Sequence, residues 1–92
     1  MLLRVREIKN AVGKVTATYK HQIKYMRIQP SGRSRQNGQG EQVFAKWKLF
    51  FEPTIELLST DKIEFNGIEY SILEIYPVRD RRDKLNHLEV WI

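Results

Sequence analysis

The clearest signal in the chain is alternation with a period of two. Between residues 42 and 51, Val43, Ala45, Trp47, Leu49 and Phe51 fall on one face of an extended chain, and Phe44, Lys46, Lys48 and Phe50 on the other. A helix would mix the two sets, so the segment reads as a long strand. Its second face interleaves aromatic rings with lysines, which predicts partial cover by neighbouring loops or a partner chain. Residues 14–29 are rich in Val, Thr, Tyr and Ile and read as one strand bent near His21, or as two shorter ones. Residues 61–65 form a short strand. Asn66-Gly67 then supplies the two positive φ angles of a type I′ hairpin turn, and residues 68–76 return as the partner strand. In the last strand, residues 86–92, Leu88, Val90 and Ile92 oppose His87, Glu89 and Trp91. At the start, LLRVREI alternates through Leu3 and Val5. Residues 1–13 read as a strand or an irregular N-terminal arm, although Leu2, Val5 and Ile8 also fit a helical turn.

The breaks complete the outline. Residues 30–41, PSGRSRQNGQGE, hold no large apolar group and are expected to form an exposed, mobile loop. Such a segment exceeds the roughly two to five residues of a tight hairpin connection. Pro53 ends the long strand, because proline donates no ladder hydrogen bond. Residues 52–60 are a connection, with Ile55, Leu57 and Leu58 expected under the barrel. Asp61 is expected to cap the turn after Ser59-Thr60 through backbone amides, and Tyr70 and Ile72 to pack on Trp47 and Leu49. No repeat and no second domain emerge. Residues 1–92 therefore form a single all-β domain, a small β-barrel or sandwich of five to seven mostly antiparallel strands with a long polar loop.

Composition narrows the chemistry. A chain of 92 residues buries only about 60–65% of its unfolded surface, leaving little room for an internal pocket. The absence of cysteine excludes disulfides, thiolate catalysis and cysteine-based zinc sites. No apolar run approaches the ~20 residues that cross a bilayer, so no membrane partner is expected. The start breaks into charge too soon for a signal peptide, and the expected compartment is the cytosol or an assembly built there. Net charge is +5, unevenly spread: residues 1–27 carry seven Lys/Arg against one acid, and residues 42–77 carry three against six. Such polarity suits head-to-tail contact with copies or partners, and equally a nucleic-acid backbone.

A catalytic constellation does not emerge, and neither a catalytic residue, a metal ligand nor a cofactor is expected. The two histidines, His21 and His87, lie in separate strands, and His87 with Glu89 has the ordinary spacing of surface strand residues. Gly38-Gln39-Gly40 lacks the following helix of a phosphate cradle. Asp80 and Asp83, set among basic residues, read as local charge partners. A nucleic-acid reading has more behind it. Arg33, Arg35, Arg79, Arg81, Arg82 and Lys84 occupy two loops, and Tyr19, Tyr25, Phe44 and Trp91 offer rings for stacking. Against it, the aromatics are spread over alternate strand faces and the basic residues of RDRRDK are interleaved with acids. A ring-forming structural subunit is the third class. In a ring, the long polar loop would pack on neighbours or project into the lumen; in a monomer it is a plain surface loop.

The run Asp61-Lys62-Ile63-Glu64-Phe65-Asn66-Gly67-Ile68-Glu69-Tyr70-Ser71-Ile72 resembles the D-x-I-x-x-x-G-x-x-Y-x-I hairpin of the head-closure (stopper) and related head–tail connector proteins of tailed bacteriophages. The segment Tyr25-Met26-Arg27-Ile28-Gln29-Pro30-Ser31-Gly32 is similar to that family's strand entering an I-x-P-x-G loop. A long strand over residues 42–52, a charged turn and the terminal His87-Leu88-Glu89-Val90-Trp91-Ile92 follow in the same order, so the likeness covers roughly residues 15–92. MLLRVREIKN lies outside the likeness, and the loop after Pro30 is unusually rich in Arg, Gln and Gly.

The resemblance implies a non-enzymatic structural protein of the virion neck, assembled in the host cytoplasm. It would form a homo-oligomeric ring, commonly of twelve or six copies, between the portal–adaptor complex and the tail-terminator protein, close the head, retain packaged double-stranded DNA and dock the tail. The channel- or partner-facing loop carried over is Ser31, Gly32, Arg33, Ser34, Arg35, Gln36, Asn37, Gly38, Gln39, Gly40 and Glu41. The second charged loop is Arg79, Asp80, Arg81, Arg82, Asp83 and Lys84. The alternative reading is an oligonucleotide-binding small β-barrel.

Overall fold

The computed structural model describes residues 1–32, 34–36, 40 and 42–92, and of Arg35 and Gln36 the backbone alone. Among the described residues the chain forms ten strands and no helix: β1 (Leu2–Lys9), β2 (Val15–Gln22), β3 (Arg27–Pro30), β4 (Ser34–Gln36), β5 (Gln42–Phe44), β6 (Trp47–Phe51), β7 (Lys62–Phe65), β8 (Ile68–Ser71), β9 (Glu74–Arg79) and β10 (Leu85–Trp91). They build one sheet in the order β2-β1-β7-β8, a second in the order β3-β6-β10-β9, and a two-stranded ribbon of β4 and β5. Every pairing is antiparallel.

The fold is thus all-β and sandwich-like, with both sheets open at their edges rather than closed into a barrel. Its strand number exceeds the five to seven expected from the pattern. The excess arises where the chain changes sheet without a turn signal. The expected partner strand over residues 68–76 divides at Ile72-Leu73, where the chain leaves β8 in the first sheet and enters β9 in the second. Residues 14–29 divide likewise into β2 and β3, one in each sheet. The long strand over residues 42–52 breaks at Ala45-Lys46, where β5, paired in the ribbon, gives way to β6, paired in the second sheet. Apolar alternation runs unbroken through Ala45-Lys46, whereas at the other two crossings it changes phase, since Ile23 and Ile28, and likewise Ile72 and Ile75, all pack on the core.

That core is built from the predicted faces. Leu2, Ile63, Leu49, Phe51, Val90 and Ile92 are buried together, and Ile28, Trp47, Ile55, Leu57, Phe65, Tyr70, Ile72, Ile75 and Leu88 pack against them. Burial of each large aliphatic or aromatic side chain contributes about 1.5–3 kcal/mol relative to leaving it in water. Trp47, on the second sheet, reaches the first: its Nε1 donates to the Tyr70 hydroxyl at 3.3 Å, and its ring meets Phe65 edge-on with centroids 5.5 Å apart. The Tyr70–Trp47 contact expected from the sequence is therefore present, and Ile72 packs against the core cluster that holds Leu49. Ile55 and Leu57 lie under the sheets as expected, whereas Leu58 is 50% exposed. The reason is the turn that ends the connection, in which Asp61 N–H donates to Leu58 O at 3.0 Å and Asp61 takes the buried place.

Three hairpin turns are stereochemically explicit. Asn66 and Gly67 have φ of 53° and 78°, as a type I′ turn requires. The β1–β2 and β9–β10 turns share one construction. Asn10 Oδ1 accepts from Val12 N–H and Lys14 N–H at 3.1 and 3.0 Å, and Asp80 Oδ1 accepts from Arg82 N–H and Lys84 N–H at 2.8 and 3.0 Å. The left-handed residue in the first is Gly13, at φ 84°; in the second it is Asp83, at φ 60°.

These angles predict opposite responses. Open space surrounds Gly67, so Gly67→Ala acts through the backbone alone and lowers stability by about 1 kcal/mol or more. Asp83→Gly relieves a left-handed side chain and raises stability by about 0.5–1 kcal/mol. Urea unfolding of the two variants beside the parent checks both signs.

Candidate functional site

At one end of the sandwich an open cleft of about 750 Å³ lies among β1, the 22–26 crossing and the 52–56 connection. That is within the range of binding clefts, roughly 300–1,000 Å³. The crossing is anchored to both sheets: Ile23 N–H donates to Leu2 O at 3.1 Å and Met26 N–H to Phe50 O at 2.7 Å. Arg4, His21, Lys24, Tyr25, Glu52 and Glu56 supply its polar lining, and Ile23, Met26 and Ile55 its apolar part. Arg4 Nη1 donates to Glu56 O at 3.0 Å, and its Nε is buried without an acceptor among the described residues. The cleft is open to solvent, not the internal pocket for which so short a chain was expected to leave little room. Its residues come from three separated segments, which no local motif marks.

The opposite wall is fixed by an ion pair. Arg6 donates through Nε to Asp61 Oδ1 and through Nη2 to Asp61 Oδ2, both at 2.8 Å, and Leu58 N–H donates to Oδ2 at 2.8 Å. Asp61 is 1% exposed. Burial pushes its carboxyl up, but the Arg6 bonds and the Leu58 N–H outweigh that and hold it below the usual aspartate range. The Asp61 bond to Arg6 likewise raises the guanidinium, against partial desolvation. A backbone amide partner for Asp61 was expected from the sequence; Arg6, 55 positions away, was not.

In comparisons with known proteins, no family model, no curated protein and no solved structure matches this chain.

The outer faces of the two sheets are covered by the chain's own charged side chains. On the first, Val5 is buried between cross-strand neighbours Lys20 and Lys62. Lys20 Nζ reaches Glu64 at 2.9 Å, and Lys62 Nζ reaches Glu69 at 3.3 Å and Glu7 at 3.4 Å; these carboxylates raise both ammonium groups. On the second, Lys48 Nζ lies 4.8 Å from the Trp91 centroid, 5.1 Å from that of Phe50 and 3.0 Å from Glu89 Oε1. His87 Nε2 is 3.3 Å from Glu89 Oε2. Partial burial pushes Glu89 up, yet its bonds to Lys48 and His87 hold it below the usual glutamate range.

These arrangements separate the aromatics weighed for stacking. Trp91 is only 5% exposed, Tyr19 stands on β2, Tyr25 lines the cleft and Phe44 stands on the ribbon, 65% exposed. His21 lines the cleft and His87 lies on the outer face of the second sheet; among the described residues, no three His, Cys, Asp or Glu side chains gather into a metal-binding group.

The sequence-derived loops are placed as follows. The expected mobile loop over residues 30–41 is in part ordered pairing. Pro30 closes β3, Ser31 is buried with its N–H donating to Lys46 O at 2.8 Å, and Ser34, Arg35 and Gln36 pair with Phe44, Val43 and Gln42. Polar residues can form such a ribbon because its hydrogen bonds are backbone ones. Gly32 and Gly40 are exposed, and Arg33, Asn37, Gly38, Gln39 and Glu41 lie outside the described residues. In the second loop, Asp80 caps the turn rather than serving mainly as a charge partner, Arg79 Nη1 donates to Asp83 O at 3.1 Å, and Arg81, Arg82 and Lys84 are exposed. Asp83 stands 3.9 Å from Arg79 Nε, a surface pair of small energetic weight.

The Asp61 pair carries a pH signature. A carboxyl depressed in the folded state stabilises fully above its unfolded pKa, near ~4, and that stabilisation is lost as pH falls through the folded value. Asp61→Asn is therefore about 2–3 kcal/mol less stable than the parent at pH 7, with the gap narrowing below about pH 4. Denaturant titrations at pH 7 and pH 3 check it, and a gap that does not narrow rules out the ion-pair account.

Proposed function

We propose that this chain is a structural subunit of the neck of a tailed bacteriophage, of the head-closure (stopper) kind. It acts by assembling into a ring between the portal–adaptor complex and the tail, where it helps retain packaged double-stranded DNA and presents a docking surface. The observation that carries this reading is the surface of the sandwich. Both sheets end in open edge strands, β2 and β8 in one and β3 and β9 in the other. Large apolar side chains stand exposed along them and at the turns, among them Val15 and Tyr19 on β2, Ile68 on β8 and Tyr76 on β9. Unpaired edges and exposed apolar groups are features that association covers. The elements on which the family resemblance rests also meet in one body: Tyr70 of the Asn66-Gly67 hairpin bonds Trp47, and the terminal strand lies beside β6.

The charge asymmetry enters this reading in reduced form. Arg6 and Lys20 of the basic N-terminal region are paired within the chain, to Asp61 and Glu56 and to Glu64. Lys9, Lys14 and Lys24 are exposed and, among the described residues, make no ion pair. The electrostatic share of assembly falls to these lysines. Native mass spectrometry at low and high salt, with electron microscopy of the same samples, tests the proposal. Closed rings of one copy number that loosen with salt are expected. A persistent monomer that binds oligonucleotides tightly and with steep salt dependence overturns it in favour of a nucleic-acid-binding module.

A further inference from the structure

The hairpin of β1 and β2 is longer than the sheet that holds it. Leu2, Leu3, Arg4 and Val5 pair with β7 on one side and Leu3, Arg4 and Val5 with β2 on the other; from Arg6 to Lys9 the partner is β2 alone. The distal half is thus a two-stranded arm, and the chain is accordingly elongated, 44 × 28 × 27 Å. Strand alternation and the register put Ile8, Ala17 and Tyr19 on one side of this arm, in line with Arg6. Tyr19 is 60% exposed and Val12, at the tip, 86%. Residues 8–18 contain two lysines, Lys9 and Lys14, and no acid. An amphipathic ribbon of this kind leaves its apolar row in water unless another surface covers it.

The cleft offers the complementary chemistry. Tyr25 and Met26 are exposed apolar groups at its lining, and Glu52 and Glu56 stand on one wall. Lys24 also lines the cleft, and the Glu56 carboxylate is already bonded to Arg6, so Glu52 is the carboxylate that meets incoming cations. The arm's own tip does not return to this cleft. Asn10, at the turn, lies six positions along the chain from Arg4, at the cleft, a distance of about 20 Å in an extended strand.

We propose that the β1–β2 turn of one copy docks in the cleft of the next. Val12 and Ile8 would cover Tyr25 and Met26, and Lys9 or Lys14 would meet Glu52. Arm and cleft are different surfaces of one chain, so the contact is heterologous and head-to-tail, the kind that closes into a ring when the rotation between copies permits. The inference rests on the ring reading and names the contact that makes the ring.

The absence of native cysteine gives a direct test. In a Val12→Cys/Thr54→Cys double variant, the two positions are exposed, and in one chain they are too far apart to bridge, since a disulfide needs Cα atoms within about 7 Å. Mild oxidation at high protein concentration, read on a non-reducing gel, is expected to give a ladder of covalent oligomers. Either single variant gives dimers at most, and Val12→Cys/Ser71→Cys, with its second thiol on β8, gives no ladder. Disulfide trapping also records contacts too weak to survive dilution. A double variant that yields no more than the single variants, or a ladder from the β8 pair instead, overturns the arm-in-cleft contact. If native mass spectrometry of the parent still shows rings, the ring reading survives that failure; if it shows monomer throughout, both fall.

Discussion

The carboxylate of Asp61 is the constraint around which the rest is arranged. It is buried, yet three donors satisfy it: two from Arg6 on β1 and one from the backbone of Leu58. A buried ion pair is weak evidence of net stabilisation, because desolvation offsets most of the attraction. Its stronger consequence is positional. Once Asp61 is buried, only a bidentate partner at the height of Arg6 satisfies it, and that fixes the register of β1 against β7. The same pair pulls the 52–61 connection against the first sheet, with Glu56 bonded to Arg6 and its carbonyl to Arg4. The cleft wall follows from that placement.

Charge elsewhere in the molecule is used mainly to finish surfaces. A sandwich of this size has two outer faces and little chain to cover them. Val5 and Trp91 are buried on those faces beneath lysine stems, whose ammonium groups are tied down by Glu64, Glu7, Glu69 and Glu89. Lysine suits this role because its stem covers apolar surface while its head stays hydrated. The contrast between a basic start and an acidic middle in the sequence is therefore, in good part, an intramolecular complementarity. Among the described residues, the unmatched cations include Lys9 and Lys14 on the arm, Lys24 at the crossing, Arg27 on β3, Lys46, and Arg81, Arg82 and Lys84 of the β9–β10 turn.

Much of the fold was legible because it depends on local rules. The inward rows of β6, β7 and β10, the type I′ turn at Asn66-Gly67 and the meeting of Tyr70 with Trp47 all follow from alternation and turn stereochemistry. The strand count was not, because no Gly or Pro marks the crossings and only a change in the phase of the apolar pattern does, as between Ile72 and Ile75. Nor was the ribbon at Ser34–Gln36, whose pairing uses backbone groups and leaves no apolar signature. The candidate site was the least legible part. Arg4, Tyr25 and Glu56 meet only through the tertiary course of the chain, and nothing in the spacing of Arg6 and Asp61 indicates that they bond. The identical construction of the Asn10 and Asp80 turns was readable in principle, since each has an Asx residue three places before a left-handed Gly or Asp.

The arm shows what a neighbour would add to such a chain in the proposed ring. Its strands pair with each other from Leu3 to Lys9 and its turn is capped by Asn10, so its shape is set locally. What it lacks is a second layer, because the opposing sheet ends before it does. A two-stranded ribbon with one apolar side in water stands at the low end of local stability, and covering that side stabilises the ribbon and the contact together. The conformational entropy of binding is small, since the turn is already formed, and the apolar row adds area where the monomer had none. An element shaped in advance but left uncovered is well suited to assembly from many weak, identical contacts, each reinforced by closure of the whole.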